Sequence, residues 1–272
     1  MPELQSHCNR VIFWTQYGPT CWFNAVLIAI FYSQHSRNML YDLSSKWDKN
    51  IELFKMLRFV LKHKYLKSKN PEKDFKFFDM LKPERILDKI HEIKPKYAYA
   101  DMGLGGHHAE MIIGRLYKLL GVDCLMFQAT DSGLYYDMRN NIEYEELLPS
   151  RYNPGKLFYL TTMKVKERIH IDKKLNKIKN PQVIIVNNFN KNWTSPFYIK
   201  NPHYGISTDN NMLLTLNNTV MYNGVEYVLD SVLINNWNIA QFRTAKRHNA
   251  ERIPGHEIVG ITCGNERYVY NG

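Results

Sequence analysis

The most apolar stretch of the chain, AVLIAIFY at residues 25–32, does most to limit its fold. It is far shorter than the roughly 20 residues needed to cross a bilayer, so it belongs in the core of a folded domain. Around it, the pairs Trp22/Phe23, Val26/Leu27 and Ile30/Phe31 recur every four residues. That spacing predicts a helix over 21–33 with one buried face. The chain has 272 residues, 44% of them hydrophobic and 23% charged. This balance is that of a globular protein and excludes a disordered or collagen-like chain. The length is near the limit of about 250–300 residues for one hydrophobic core, which predicts one domain with two lobes.

Helical periodicity continues through the first half. Leu53, Phe54, Leu57, Val60 and Leu61 predict a helix over 50–63. Pro83 suits the first turn of a helix over 83–93, and Gly121 the stop of one over 108–120. The basic stretch 62–76, broken by Pro71, reads as an exposed connection. The second half reads as strands. KLFYLTTM (156–163) follows the turn residues Asn153-Pro154-Gly155, and QVIIV (182–186) reads as a short buried strand. Asn223-Gly224 inside VMYNGVEYVL marks one hairpin, and Gly264-Asn265 between HEIVGITC and RYVYN marks another. The expected fold class is α+β in a single domain 1–272, with a helical lobe over about 1–125 and a β-rich lobe over 126–272.

The net charge is +10 and the four cysteines, Cys8, Cys21, Cys124 and Cys263, are scattered. The positive surplus suits an acidic protein or nucleic acid as partner, although lysine-rich solvated helices give the same number. Without a C-x-x-C spacing, neither a zinc site nor a disulfide scaffold is expected, and reduced thiols in a cytoplasmic setting fit this usage. The polar residues 1–10 do not look like a secretory leader. No membrane association, metal or organic cofactor is expected.

The segment Gln16-Tyr17-Gly18-Pro19-Thr20-Cys21-Trp22-Phe23-Asn24-Ala25 carries the chemistry. A Gly-Pro turn delivers a cysteine to the start of a helix, where partial positive charge and unpaired N–H donors favour thiolate over thiol. The same donors, with the Gln16 amide, suit an oxyanion. A cysteine in this place also reads as a small buried hydrophobe. A thiolate nucleophile needs an imidazole. His256 follows Pro254-Gly255 and opens a strand whose hairpin partner ends at Asn271. The Asn271 amide oxygen would accept the imidazole N–H and hold the ring. Of the other histidines, His107 and His108 follow two glycines and are expected to cap the helix they open. A metal site there would lack its other ligands.

Gly18, Thr20, Cys21, Trp22, Asn24, Ala25 and Leu27 resemble the Cys box of the ubiquitin-specific proteases. Gly255, His256, Tyr268, Tyr270 and Asn271 are similar to that family's His box, and YVLDSVLI (227–234) to the strand preceding it. The boxes stand in the family's order, with about 20 residues matched at the start of the chain and 45 at the end. The resemblance implies a papain-like cysteine protease fold. The nucleophile helix would sit in a helical N-terminal lobe, and His and Asn on an antiparallel β-rich C-terminal lobe. It implies Cys21 as nucleophile, His256 as general base and acid, Asn271 as orienter of the imidazole, and Gln16 in the oxyanion hole where the family usually has Asn.

Several departures bear on the substrate. The zinc-binding cysteines of the family's fingers region are missing, and Glu257 stands where an aromatic commonly follows the His. The resemblance implies a deubiquitinase or ubiquitin-like-protein protease cutting after a C-terminal Gly tail, with ubiquitin or ubiquitin-like conjugates as partners. A second reading is a maturation protease of a large DNA virus acting on a polyprotein or capsid precursor, in host cytoplasm or virion. A third is an inactive basic binding module that has kept the boxes.

Overall fold

The computed structural model describes residues 18–63, 70, 72, 79, 81–104, 107, 109, 112–130, 133–136, 180–188, 219–222, 224–235, 257–263 and 266–270. The first helix, α1 (Cys21–Phe31), is buried along all of its 11 residues, not on one face only. Its sequence, CWFNAVLIAIF, has no charged residue to supply a solvent face, so it lies inside the core. The helix α2 (Gln34–Leu43) follows after a short corner and buries only a narrow strip, Ser36, Arg37 and Leu40. Apolar periodicity does not announce it. A 3₁₀ turn, Ser44–Lys46, leads on towards α3 (Glu52–His63), which buries Leu53, Phe54, Leu57, Val60 and Leu61 as the spacing predicts. In α4 (Pro83–Ile93) proline stands in the first turn, and Ile86, Leu87 and Ile90 face the core.

The helix α5 (Ile113–Leu119) is shorter than the stretch 108–120 that the sequence suggests. Its end follows expectation. Gly121 adopts a φ of 81°, and the N–H groups of Gly121 and Val122 return to the carbonyls of Lys118 and Tyr117. This is the left-handed stop that glycine makes at low strain.

Among the described residues eight strands follow: β1 (Cys124–Thr130), β2 (Gly133–Tyr136), β3 (Val183–Asn188), β4 (Thr219–Tyr222), β5 (Val225–Val228), β6 (Ser231–Asn235), β7 (Glu257–Cys263) and β8 (Glu266–Tyr270). Both predicted hairpins form. The pairs Tyr222↔Val225 and Cys263↔Glu266 close two-residue loops, and Gly224 takes a φ of 79°. The fold is thus α+β in general character. Among the described residues one pairing is parallel, β1 with β3, where the resemblance implies an antiparallel lobe. Parallel neighbours need a long crossover, and the chain between residues 136 and 180 separates these two strands. The predicted strand 156–163 lies outside the described residues.

The chain divides into two compact units that are not consecutive halves. One unit draws on residues 1–109, 200–217 and 229–272, and so on both ends of the chain. In it α1 packs on β7, the middle strand of the antiparallel sheet β6-β7-β8. The other unit, residues 110–199 and 218–228, holds α5 against the sheet β2-β1-β3, together with the β4-β5 hairpin. There the Tyr227 hydroxyl donates to the Pro181 carbonyl at 2.8 Å. Among the described residues no helix is long and apolar enough to cross a membrane.

Candidate active site

The turn that delivers Cys21 has the geometry its sequence calls for. Gly18 takes a φ of 61°, a conformation that a residue with a Cβ adopts only under strain. Thr20 then turns its carbonyl into the helix and accepts the N–H groups of Phe23 at 3.0 Å and Asn24 at 2.9 Å. The N–H groups of Cys21 and Trp22 precede the first of these bonds, so they stand at the positive end of the helix. Cys21 itself is a free thiol with 9% of its surface exposed.

The other free thiol, Cys124, is a contrasting case. It begins β1 in the other unit, and burial pushes its thiol well above the ordinary cysteine range. A thiol with its pKa raised in this way is a poor nucleophile. Cys263 is disulfide-bonded, which departs from the expectation of reduced thiols.

Of the predicted site residues, Cys21 is placed, whereas Gln16, His256 and Asn271 lie outside the described residues. Their chain neighbours are described. The strand β7 begins at Glu257, the residue after His256, and β8 ends at Tyr270, the residue before Asn271. The two strands pair from Cys263↔Glu266 to Val259↔Tyr270. Tyr270 is buried, and that burial, with Tyr268 nearby, pushes its hydroxyl up to about 12. Every residue of β7 but Thr262 is buried, as a central strand under a helix requires.

The far end of α1 is tied to this sheet by one carboxylate. Asp230, just before β6, accepts the N–H of His35 at 3.0 Å and of Ser36 at 2.9 Å, so it caps α2 from across the fold. It also accepts the Thr262 hydroxyl of β7 at 2.7 Å. Ser33, the residue between the two helices, donates its hydroxyl to the Asp230 carbonyl at 2.6 Å. Negative charge at a helix N-terminus is favourable, so α2 is stabilised by a partner nearly two hundred residues distant in sequence. Arg37 works from inside: its buried guanidinium donates to the carbonyls of Phe31 at 3.4 Å and Leu61 at 2.9 Å, near the C-terminal ends of α1 and α3.

Three polar groups near the site were not singled out by sequence reasoning for the places they take. His107, expected to cap a helix over 108–120, stands several residues before α5, which starts after Ile112. Its ring meets Trp22 edge-on with centroids 5.2 Å apart, and the Tyr99 hydroxyl lies 2.5 Å from its Nε2. Glu257 is 5% exposed, and its Oε1 accepts the N–H of Ala109 at 3.4 Å. Asn24, one turn along α1 from Cys21, is 2% exposed, and neither atom of its amide has a hydrogen-bond partner. Burial of such a group unmet costs about 1–3 kcal/mol. Asn24 was visible in the sequence only as part of the Cys-box pattern.

Among the described residues no three potential metal ligands gather. Comparison with protein-family models, with curated proteins and with solved structures finds no match to this chain.

Proposed function

We propose that the chain is a thiol-dependent cysteine peptidase with a papain-like arrangement. In this reading it is a deubiquitinase or ubiquitin-like-protein protease that cuts isopeptide or peptide bonds after a C-terminal Gly tail. One observation carries the reading: α1, which starts at Cys21, packs directly on β7, which starts at the residue after His256. The two sequence boxes stand at opposite ends of the chain, yet the elements that begin at or beside them share one compact unit.

In the proposed reaction His256 takes the Cys21 thiol proton, leaving a thiolate beside an imidazolium. The thiolate attacks the carbonyl carbon at the end of the substrate tail. The resulting oxyanion receives hydrogen bonds from the Cys21 N–H and the Gln16 amide; one such donor is worth about 3–4 kcal/mol in proteases. The imidazolium then gives its proton to the departing amine as the C–N bond breaks, leaving a thioester on Cys21. Water, losing a proton to His256, attacks the thioester and frees the carboxylate and the thiol. Asn271 holds the ring in the tautomer that both transfers need.

The test is a ubiquitin whose C-terminus carries an electrophile. The expected result is a covalent adduct on Cys21 that is absent in Cys21→Ala. Labelling by a peptide-based thiol inhibitor but not by this ubiquitin would move the assignment to a maturation protease. Labelling by neither would leave a basic binding module. The +10 charge keeps those two readings in view, since ubiquitin offers no strongly acidic face.

A further inference from the structure

We propose that the buried amide of Asn24 donates a hydrogen bond to the Cys21 sulfur when that sulfur carries negative charge. The assignment rests on the peptidase reading above, in which Cys21 works as a thiolate, and adds a residue that stabilises it.

Asn24 is out of keeping with its place. It stands in α1, CWFNAVLIAIF, which is buried along its whole length. The residue is 2% exposed, and neither its Nδ2 nor its Oδ1 has a hydrogen-bond partner. Both ends of the amide are unmet, so the observation does not depend on which way round the group is placed. Buried side-chain polar atoms are seldom left in this state. Leucine or alanine would avoid the penalty, and both form helix more readily than asparagine.

Helix geometry shows where the amide finds a partner. Residues three apart are neighbours on one face, with about 5–6 Å between their Cβ atoms. A helical side chain leans towards the N-terminus, over the preceding turn. For Asn24 that turn begins with Thr20 and Cys21, whereas Leu27 and Ile28 on its other side are apolar. The Thr20 carbonyl already accepts the N–H groups of Phe23 and Asn24. Cys21 is the neighbour whose strength as an acceptor changes with its charge.

That change gives the amide its use. A neutral thiol is a weak donor and a weak acceptor, and the amide is not bonded to it in the structure. Once the proton has left, the sulfur is an anion at the positive end of α1. An N–H donated to an anion makes a bond about twice as strong as one between neutral groups. A turn of the Asn24 side chain along its own face carries Nδ2 towards Sγ. The amide is therefore worth more to the ionised state than to the thiol, and a difference of this kind favours reaction.

Other charges near α1 stay constant in the comparison. The helix packs on α2, β6 and β7. Of the titratable side chains there, Arg37 and Glu257 are buried, His35, Tyr41 and Asp42 are exposed, and β6 has none. His107 lies against Trp22. An Asn24 variant keeps all of them, so its difference from the wild type reports Asn24.

The experiment measures alkylation of Cys21 by iodoacetamide in the full chain across a range of pH. The label is followed on the Cys21 peptide by mass, so that Cys124 does not contribute. The rate rises with pH as thiolate forms. In Asn24→Leu, which keeps the bulk and loses the donor, the rise should move about one pH unit towards alkali. On the acid side the rate then falls about tenfold. On the alkaline plateau, where the sulfur is ionised in both proteins, the rates should agree within about twofold. The melting temperature should not fall, because the substitution removes an unmet buried amide. Asn24→Ala, which cannot overfill the site, should move the profile in the same direction.

A wild-type profile in both folded variants overturns the proposal. So does a fall in rate that is equal at every pH and accompanied by a lower melting temperature, since that is the mark of a packing role. In either case the wild type still alkylates at Cys21 and the peptidase reading stands. A wild-type Cys21 that fails to alkylate at any pH overturns both.

Discussion

The two ends of α1 are built by different means. At its C-terminal end, side chains hold it: Asp230 joins the α1–α2 corner to β7, and Arg37 gathers the last carbonyls of two helices. At its N-terminal end the backbone does the shaping, through a left-handed glycine and the Thr20 carbonyl. The same end carries a thiol, an aromatic floor at Trp22 and the unmet amide of Asn24. The comparison teaches a division of labour along one helix. Asp230 clasps the corner with hydrogen bonds to both sides, whereas the unmet amide of Asn24 lies at the end where chemistry is proposed. Proteins commonly place such locally unfavourable features at functional sites.

The largest expected effect falls at the N-terminal end. Cys21→Ala should abolish turnover of a ubiquitin conjugate, a loss of about three orders of magnitude or more. Its thermal melting should stay close to that of the wild type, because alanine keeps the helix and removes only one small side-chain atom. Wild-type turnover in this variant would end the distinction drawn between the two ends. The converse change is at the clasp. Asp230→Ala removes acceptors from two helix N–H groups and a hydroxyl, and should lower stability by about 2–4 kcal/mol in urea denaturation. Asp230→Asn should recover part of this, and iodoacetamide labelling of Cys21 in the folded variant should be little altered. If the Asp230→Ala melt is unchanged, the clasp is not what holds the corner.

Smaller effects sharpen the contrast. Gly18→Ala meets no atom of the described residues within 4 Å, so the cost expected is that of the positive φ, about 1 kcal/mol. Here the expected signature is a modest fall in melting temperature with a larger fall in turnover, measured on the same preparation. The smallest effect concerns alkaline pH. The Tyr270 hydroxyl keeps its proton up to about 12 in the folded chain, against about 10 when unfolded. The unfolded chain therefore loses this proton first as pH rises. Tyr270 contributes stability that is fully present below pH 10 and is lost between there and about 12. Urea titrations across that window should show a decline that Tyr270→Phe removes.

Much of the fold is legible in the residues, because it rests on local signals. Apolar spacing gives α3 and α4, proline marks the start of α4, and Gly121 marks the end of α5. Two-residue turns give both hairpins. The helix α2 is not legible, since QHSRNMLYDL has little apolar periodicity and its N-terminus is capped by Asp230 from the far end of the chain. Nor is the total burial of α1 stated by a four-residue spacing, which predicts a single buried face.

By itself the sequence determined the α+β content, the glycine turn before Cys21 and the placing of that cysteine at the first position of a helix. Each follows from forces between residues close in the chain, which leave their mark in short patterns. Only the tertiary structure decided that α1 lies on β7, that Asp230 serves as the cap of α2, and that His107 stands against Trp22. Those contacts join residues tens to hundreds of positions apart. They are chosen by the packing of whole elements, and no local pattern of side chains encodes them.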